Sequence, residues 1–285
     1  LPPVPHSAGD MREKMLEILF VVLTIVFAAT GYSLHQWGRP SYQLTKRNPN
    51  ELRIVTWNVG GTGGHGGRPL ENQFLPHIAA VLKELNADLI LLQEIAYEKQ
   101  VDRLSRLLDG KWEAMVSNGG SRSVAILARR GRLYSRIRPD KKYNGLAASY
   151  RALGNPPVFL MNIHADPYSA QQRNRLIGWA TDGLMSRFPD HFKILAGDLN
   201  LDIDIDKRRD LFSDDEYLDI ETYNYVAQRF SDVTLNTGST AEPDRRLDYI
   251  FADVKRLKVD RAGPWKGKRV ADMDHDPVVA DLKFE

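Results

Sequence analysis

Near its C-terminus the chain reads Ala271-Asp272-Met273-Asp274-His275-Asp276-Pro277-Val278-Val279. Two further carboxylate-bearing pieces lie upstream, Gly197-Asp198-Leu199-Asn200 and Arg246-Leu247-Asp248-Tyr249. Each sits at the end of a short apolar, β-branched run, where strands of a sheet deliver polar side chains to one rim. The same design recurs toward the N-terminus. Leu52–Asn58 and Asp88–Glu94 read as buried strands closing on a polar residue, and Val158–His164 closes on a histidine. Ser123–Ala128 is a further strand, Lys193–Ala196 leads into Gly197-Asp198, and Arg246–Phe251 and Pro277–Leu282 complete the series.

Between these runs, apolar residues at helical spacing predict helices over Phe74–Leu85, Val101–Leu108 and Gln172–Phe188. Strands and helices alternate, but some strands follow one another directly. That predicts an α/β fold with a mixed sheet covered by helices, or two stacked sheets with helices outside. Gly60–Gly67 holds six glycines in eight residues, a mobile loop placed directly after Asn58.

The chain has 285 residues, 42% of them hydrophobic and 27% charged, enough for one large domain with a full core plus an appendage. Its formal net charge of +2 does not announce nucleic-acid binding. With no cysteine, disulfides and zinc–thiolate sites are excluded. The N-terminus differs in kind. Residues 1–14 read as disordered. Residues 15–34 carry an apolar run interrupted only by Thr24 between Ile18 and Ala29, near the lower length limit of a spanning helix. Three readings stay open for that run: a single membrane anchor over residues 16–34, a signal segment cleaved near Ala28–Gly31, or a buried core helix. An anchor makes the protein membrane-bound and a cleaved signal makes it exported. Arg12 and Lys14 before the run compete with Arg39, Lys46 and Arg47 after it, so orientation is not fixed. Residues 35–50 read as a linker and 51–285 as the folded domain.

The strand ends supply Asn58, Glu94, His164, Asp198, Asn200, Asp248, Asp274 and His275. Hard oxygen ligands without thiolates favour Mg²⁺, Mn²⁺ or Ca²⁺, and for Mg²⁺ the ligands are Glu94, Asn58 and Asp274. Asp198 is placed to orient or deprotonate a water, and a histidine held by a carboxylate can stabilise charge on phosphoryl oxygens. Taken singly each residue has a plainer reading. Glu94 is a solvated strand end, Asn58 a turn former, His164 a structural histidine, and Asp248 a surface ion pair with Arg245 or Arg246. The joint pattern, in order and at strand termini, is what argues for chemistry.

That pattern resembles the endonuclease/exonuclease/phosphatase superfamily. The matching segments are Thr-Trp-Asn58-Val, Leu-Gln-Glu94-Ile, Asn-Ile-His164-Ala-Asp, Gly-Asp198-Leu-Asn200, Arg-Leu-Asp248-Tyr-Ile and Asp274-His275-Asp-Pro-Val, spread over about residues 52–285. The resemblance implies a four-layered α/β sandwich of two mixed sheets with outer helices. It also implies Asn58 and Glu94 at the metal, Asp198 and Asn200 at the water and phosphate, Asp248 paired with His275, and Asp274 near the metal. One branch pairs the histidine matching His164 with a glutamate before the middle strand. This chain has Ser121-Arg122-Ser123 there, so Arg122 is read as a phosphate contact instead. The implied activity is Mg²⁺-dependent phosphodiester hydrolysis of the endonuclease type. The alternatives are a membrane-associated phospholipid or sphingomyelin hydrolase and an inactive binding module. The partner is then a phosphodiester substrate, nucleic acid or phospholipid, with no obligate protein partner.

Three lesser features are read as background. Asp202-Ile-Asp204-Ile-Asp206 begins like a calcium loop, but Lys207 takes the glycine position, which leaves a solvated acidic loop. Arg129-Arg130, Lys141-Lys142, Arg208-Arg209 and Lys266–Arg269 read as solvated faces, some able to follow a phosphate backbone. Trp265 beside Lys266 suits a base or a lipid interface.

Overall fold

Leu52 and Ile54 of β1 (Glu51–Asn58) bury into one apolar core, and Val55 and Trp57 bury into another. A strand buried on both faces must lie between two layers. The computed structural model describes residues 41–45, 51–61, 69–117, 122–140, 143–152, 154–203, 213–267, 270 and 273–284, and shows that arrangement. One sheet runs β11 (Leu257–Pro264), β12 (Val278–Phe284), β1, β2 (Leu89–Ile95), β4 (Ser123–Arg129), β3 (Trp112–Val116). The other runs β5 (Gly131–Ile137), β6 (Asn144–Ala152), β7 (Val158–His164), β8 (Phe192–Asp198), β10 (Asp248–Ala252), β9 (Ser231–Asp232).

The period-2 alternation sorts the apolar side chains. Leu89, Leu91, Val124, Ile126, Val158, Leu160 and Ile194 fill the space between the sheets. Ile90, Leu92 and Leu127 face outward to α1 (Leu75–Leu85) and α2 (Glu98–Leu107). Phe159, Met161, Leu195 and Phe251 face outward to α3 (Ala170–Ser186) and α4 (Glu216–Ala227). The result is the expected four-layered sandwich of two mixed sheets flanked by helices. Each such side chain stabilises the fold by about 1.5–3 kcal/mol.

Local signals set the helix limits. α1 opens with Pro76 in its first turn and stops at Asn86, whose φ of 52° is the left-handed capping conformation. The side chains of Ser169 and Asp215 cap α3 and α4, accepting from the Gln172 and Leu218 N–H groups.

Strand direction places the site. β1 and β2 are parallel, as are β7 and β8, while β12 runs antiparallel to β1 and β10 antiparallel to β8. The ends of four strands and the starts of two therefore share one rim. Just beneath it Gln93 Nε2 donates to Asn162 Oδ1 at 2.7 Å, and Asn162 Nδ2 donates to the Leu92 and Ala125 carbonyls. This buried network ties the two sheets together.

The folded unit spans Ser41–Glu285, so it takes in part of the stretch read as linker. Tyr42 is buried, its N–H bonds the Pro264 carbonyl at 2.8 Å, and its hydroxyl donates to Asp281 at 2.8 Å. No helix among the described residues is long and apolar enough to cross a membrane. Residues 16–34, the candidate anchor or signal, lie outside the described residues, as do residues 1–14 and most of the glycine loop.

Candidate active site

Asn58 ends β1, and its side chain joins the rim's carboxylates. Its Nδ2 donates to Asp198 Oδ2 at 2.9 Å and to Glu94 Oε1 at 3.4 Å, while its Oδ1 accepts the Gly60 N–H at 3.0 Å. Glu94 lies where the β2–β4 register shifts, and its φ is 59°. A non-glycine residue held there costs on the order of 1–3 kcal/mol, the kind of strain that collects at functional sites. Glu94 Oε2 is buried and has no hydrogen-bond partner among the described residues.

The backbone passes this group very closely. A Cβ at Gly60 would lie 1.9 Å from Glu94 Oε2, and one at Gly61 would lie 2.6 Å from Asp274 Oδ1. A side chain at either position would push a carboxylate aside, and Gly61, at φ 74°, is in the conformation that favours glycine; the two glycines bring Glu94 and the half-buried Asp274 against the same short segment.

Asp198 closes β8 opposite Asp248 at the start of β10. Its Oδ1 accepts the Asn200 N–H at 3.0 Å, and Asn200, at φ 49°, donates its own amide to the Ala165 carbonyl. The Nε2 atoms of His164 and His275 stand 3.7 Å and 3.8 Å from Asp198 Oδ2. His164 Nε2 is also 3.7 Å from Glu94, and its Nδ1 is buried without a hydrogen-bond partner among the described residues. Arg122 is half-buried just before β4, whose first residue pairs with Ile95 beside Glu94.

His275 Nδ1 and Asp248 Oδ2 are 2.8 Å apart, the shortest polar contact of the site. Burial works against charge on His275, but the carboxylates of Asp248 and Asp198 outweigh it and raise its pKa. The protonated form of His275 is thereby favoured beside Asp248, whose own carboxyl is pushed up to about 6 by burial. The pair is fixed from behind. The Leu247 and Asp248 N–H groups bond Thr240 Oγ1, the Asp276 N–H bonds the Thr240 carbonyl, and Trp57 Nε1 donates to the His275 carbonyl. Thr240 lies in a segment without pattern, and no signal in the sequence points to it.

The rim thus gathers Asn58, Glu94, His164, Asp198, Asn200, Asp248, Asp274 and His275. Ligand atoms of Asp198, Asp248 and His275 lie within 4.8 Å of one another, a buried cluster that could hold a divalent metal. His275 is already committed to Asp248, which leaves the unpartnered oxygen of Glu94 as the better place for a cation. Four carboxylates around one rim also need positive charge nearby.

Some background readings change. Trp265 is buried in the outer core and unavailable for stacking. Lys266 bonds Asp276 at 2.6 Å and the Ser239 carbonyl. Asp202 is buried against Arg245 at 3.0 Å and is not solvated. Arg246 pairs with Asp232 at 2.7 Å, so Asp248 is no surface ion pair. Asp204, Asp206, Lys141, Lys142, Arg208, Arg209, Lys268 and Arg269 lie outside the described residues.

Two helix-covered mixed sheets with this rim define a phosphoesterase-type sandwich. The sequence matches the Endonuclease/Exonuclease/phosphatase family over residues 55–268, and the chain belongs to that family. Similar solved structures share the fold. An endonuclease/exonuclease/phosphatase family protein of Bacteroides thetaiotaomicron is 17% identical, with a TM-score of 0.64 covering 84% of this chain and 100% of that one. D. rerio TDP2 complexed with single strand DNA product is 18% identical, with a TM-score of 0.60 covering 82% and 99%. A mannosyl-6-phosphatase of Bacteroides thetaiotaomicron is 16% identical, with a TM-score of 0.61 covering 82% and 100%. No curated protein matches the sequence.

Proposed function

We propose that the chain is a Mg²⁺-dependent phosphodiester hydrolase of the endonuclease type, with Mn²⁺ as the alternative ion. The observation that carries this reading is Glu94 Oε2, a buried carboxylate oxygen with no hydrogen-bond partner among the described residues, beside Asn58 and the Gly61–Asp274 contact. A buried anion of that kind is costly unless a cation completes it. Glu94, Asn58 and Asp274 would hold the ion, an oxygen-rich set that suits Mg²⁺. Bound there, the ion supplies charge neutralisation for the phosphate and the leaving oxygen.

The chain's own groups do the rest. Asp198, buried and positioned by Asn58 and the Asn200 N–H, orients the attacking water and takes its proton. Asn200 and Arg122 contact the phosphate. His275, kept protonated by Asp248, donates a hydrogen bond to a phosphoryl oxygen as charge builds there. His164 stands beside Asp198 and Glu94. A DNA-product complex and a phosphatase among the structural neighbours are consistent with phosphate esters as substrates.

The test is a panel of plasmid DNA, abasic DNA, RNA, sphingomyelin and phosphoinositides, each with Mg²⁺ and with chelator. Chelator-sensitive cleavage of a nucleic acid is expected. Turnover of a lipid alone moves the protein to the phospholipid reading, and turnover of none leaves a binding module.

A further inference from the structure

A second cleft, of about 1260 Å³, opens at the other end of the sandwich. It lies where the edge strands β3 and β5 of the two sheets approach each other, lined by Trp112, Glu113, Gly131, Arg132 and Tyr134. The turn from β6 into β7 forms another wall. His164 ends β7 at the catalytic rim while Pro157, before its start, lines the cleft. At ~3.3 Å per residue the two sites are roughly 20 Å apart.

Five cations surround this cleft: Arg106, Lys111, Arg130, Arg132 and Arg151. All five are exposed, and none of their side chains has a hydrogen bond or ion pair among the described residues. The single acid of the lining is already engaged, since Glu113 Oε2 accepts the Leu133 N–H at 2.7 Å. Edge strands commonly carry a charge or two to prevent pairing. Five such cations along one cleft, from α2, β5, β6 and two turns, exceed that need. They repel one another and create a focused positive potential over a concave surface.

Two aromatic residues also line the cleft, Trp112 on the outer face of one sheet and Tyr134 on the outer face of the other. Trp112 and Tyr134 are both half-buried, so each shows part of its ring. Both are fixed. Trp112 Nε1 donates to the Asp109 carbonyl with the Arg129 guanidinium 5.7 Å from its ring centre, and Tyr134 Oη is 3.0 Å from His191 Nε2. Held aromatic rings among exposed cations match a ligand that alternates phosphates with flat apolar groups.

We propose that this cleft is a second binding site for single-stranded nucleic acid, with phosphates on the five cations and bases against Trp112 and Tyr134. The site is separate from the catalytic rim and does not depend on the reaction assigned there. The full chain is titrated in EDTA with a fluorescent twelve-nucleotide oligothymidylate, with anisotropy read at several salt concentrations. Wild type is expected to bind with a steep salt dependence. Arg132→Glu with Arg151→Glu should weaken binding about tenfold or more. The milder pair Arg106→Gln with Lys111→Gln should flatten the slope of log affinity against log salt by roughly 0.7 per charge removed, the single-strand value. Trp112→Ala should weaken binding and leave that slope unchanged. Turnover of a small soluble phosphodiester should match wild type in all of these variants, because none touches the rim. Absence of oligonucleotide binding by wild type, or equal binding by wild type and the charge variants, overturns the proposal. So does a charge-variant loss seen only on phosphatidylserine vesicles, which would make the cleft a membrane contact.

Discussion

Glu94 shows how the site is specified one residue at a time. It is the last polar residue of an apolar strand, lies on a register shift, adopts a positive φ and points an unpartnered oxygen at a glycine. Replacing Glu94 with Gln keeps the shape and removes the charge. Turnover should fall by roughly a hundredfold or more, at least the loss seen when residues merely supporting a metal are removed. The melting temperature in chelator should hold or rise, because a buried lone anion is gone. A large drop in melting temperature would mean that Glu94 is structural. Asp248 and His275 make a second residue-level prediction. As one hydrogen-bonded unit, His275→Ala and Asp248→Asn should each slow turnover, and the double variant should be little worse than either single one. Additive losses in single-turnover rates would show that the pair does not act together. These residues were legible in the sequence because chemistry was concentrated in short strings at strand ends. Thr240 and the Gly60–Glu94 contact were not, since both depend on which loop crosses which strand end.

Elements were legible in proportion to their burial. β1, β2, β7 and β8 are buried along their whole length and read as near-continuous apolar runs. β3 and β5 are half-exposed sheet edges without clear alternation, and the register of β11 slips between Val259 and Arg261. β6 is buried but built from Gly, Ala and Ser, which lack the β-branched signal. α4 carries tyrosines on several sides and shows no single apolar face. β12 holds an element-scale prediction. Asp281, fully buried, accepts from Arg53 Nε at 2.7 Å, from Tyr42 Oη at 2.8 Å and from Arg261 Nη2 at 3.0 Å. Burial alone would raise its pKa, but these hydrogen bonds outweigh it and hold the carboxyl below the usual range. The unfolded chain takes up this proton near pH ~4 and the native chain only at lower pH. The stability it contributes is therefore full above that range and is lost as pH falls through the native value. Asp281→Asn should cost about 3–5 kcal/mol at pH 7, because it strands the buried Arg53. Denaturant midpoints measured from pH 7 down to pH 3 should converge for the two proteins. Parallel curves would remove Asp281 as the cause.

At the scale of the molecule, the two-sheet sandwich followed from the order of strands and helices together with the family resemblance. The start of the folded unit did not follow, because Tyr42 sits in a polar, proline-bearing stretch that looks like a tether. A chain beginning at Ser41 should be more stable than one beginning at Leu52 by about 3–5 kcal/mol, the scale of losing a buried aromatic. Equal denaturant midpoints would show that the Tyr42–Asp281 contact contributes nothing. The apolar run at residues 16–34 remains a proposed anchor or signal. Fractionation of the full chain, with mass spectrometry of its N-terminus, separates the two.

The central claim is that an oxygen-only metal site centred on Glu94 drives phosphodiester cleavage. The most direct measurement is plasmid nicking by the chain from Ser41 onward, titrated with Mg²⁺ after removal of all metal by EDTA, for wild type and Glu94→Gln in parallel. Wild type should be silent without metal and recover saturably with Mg²⁺, while the variant should need far more metal or stay silent at any concentration. Undiminished nicking by wild type in EDTA, or a Glu94→Gln curve that overlays wild type, would contradict it.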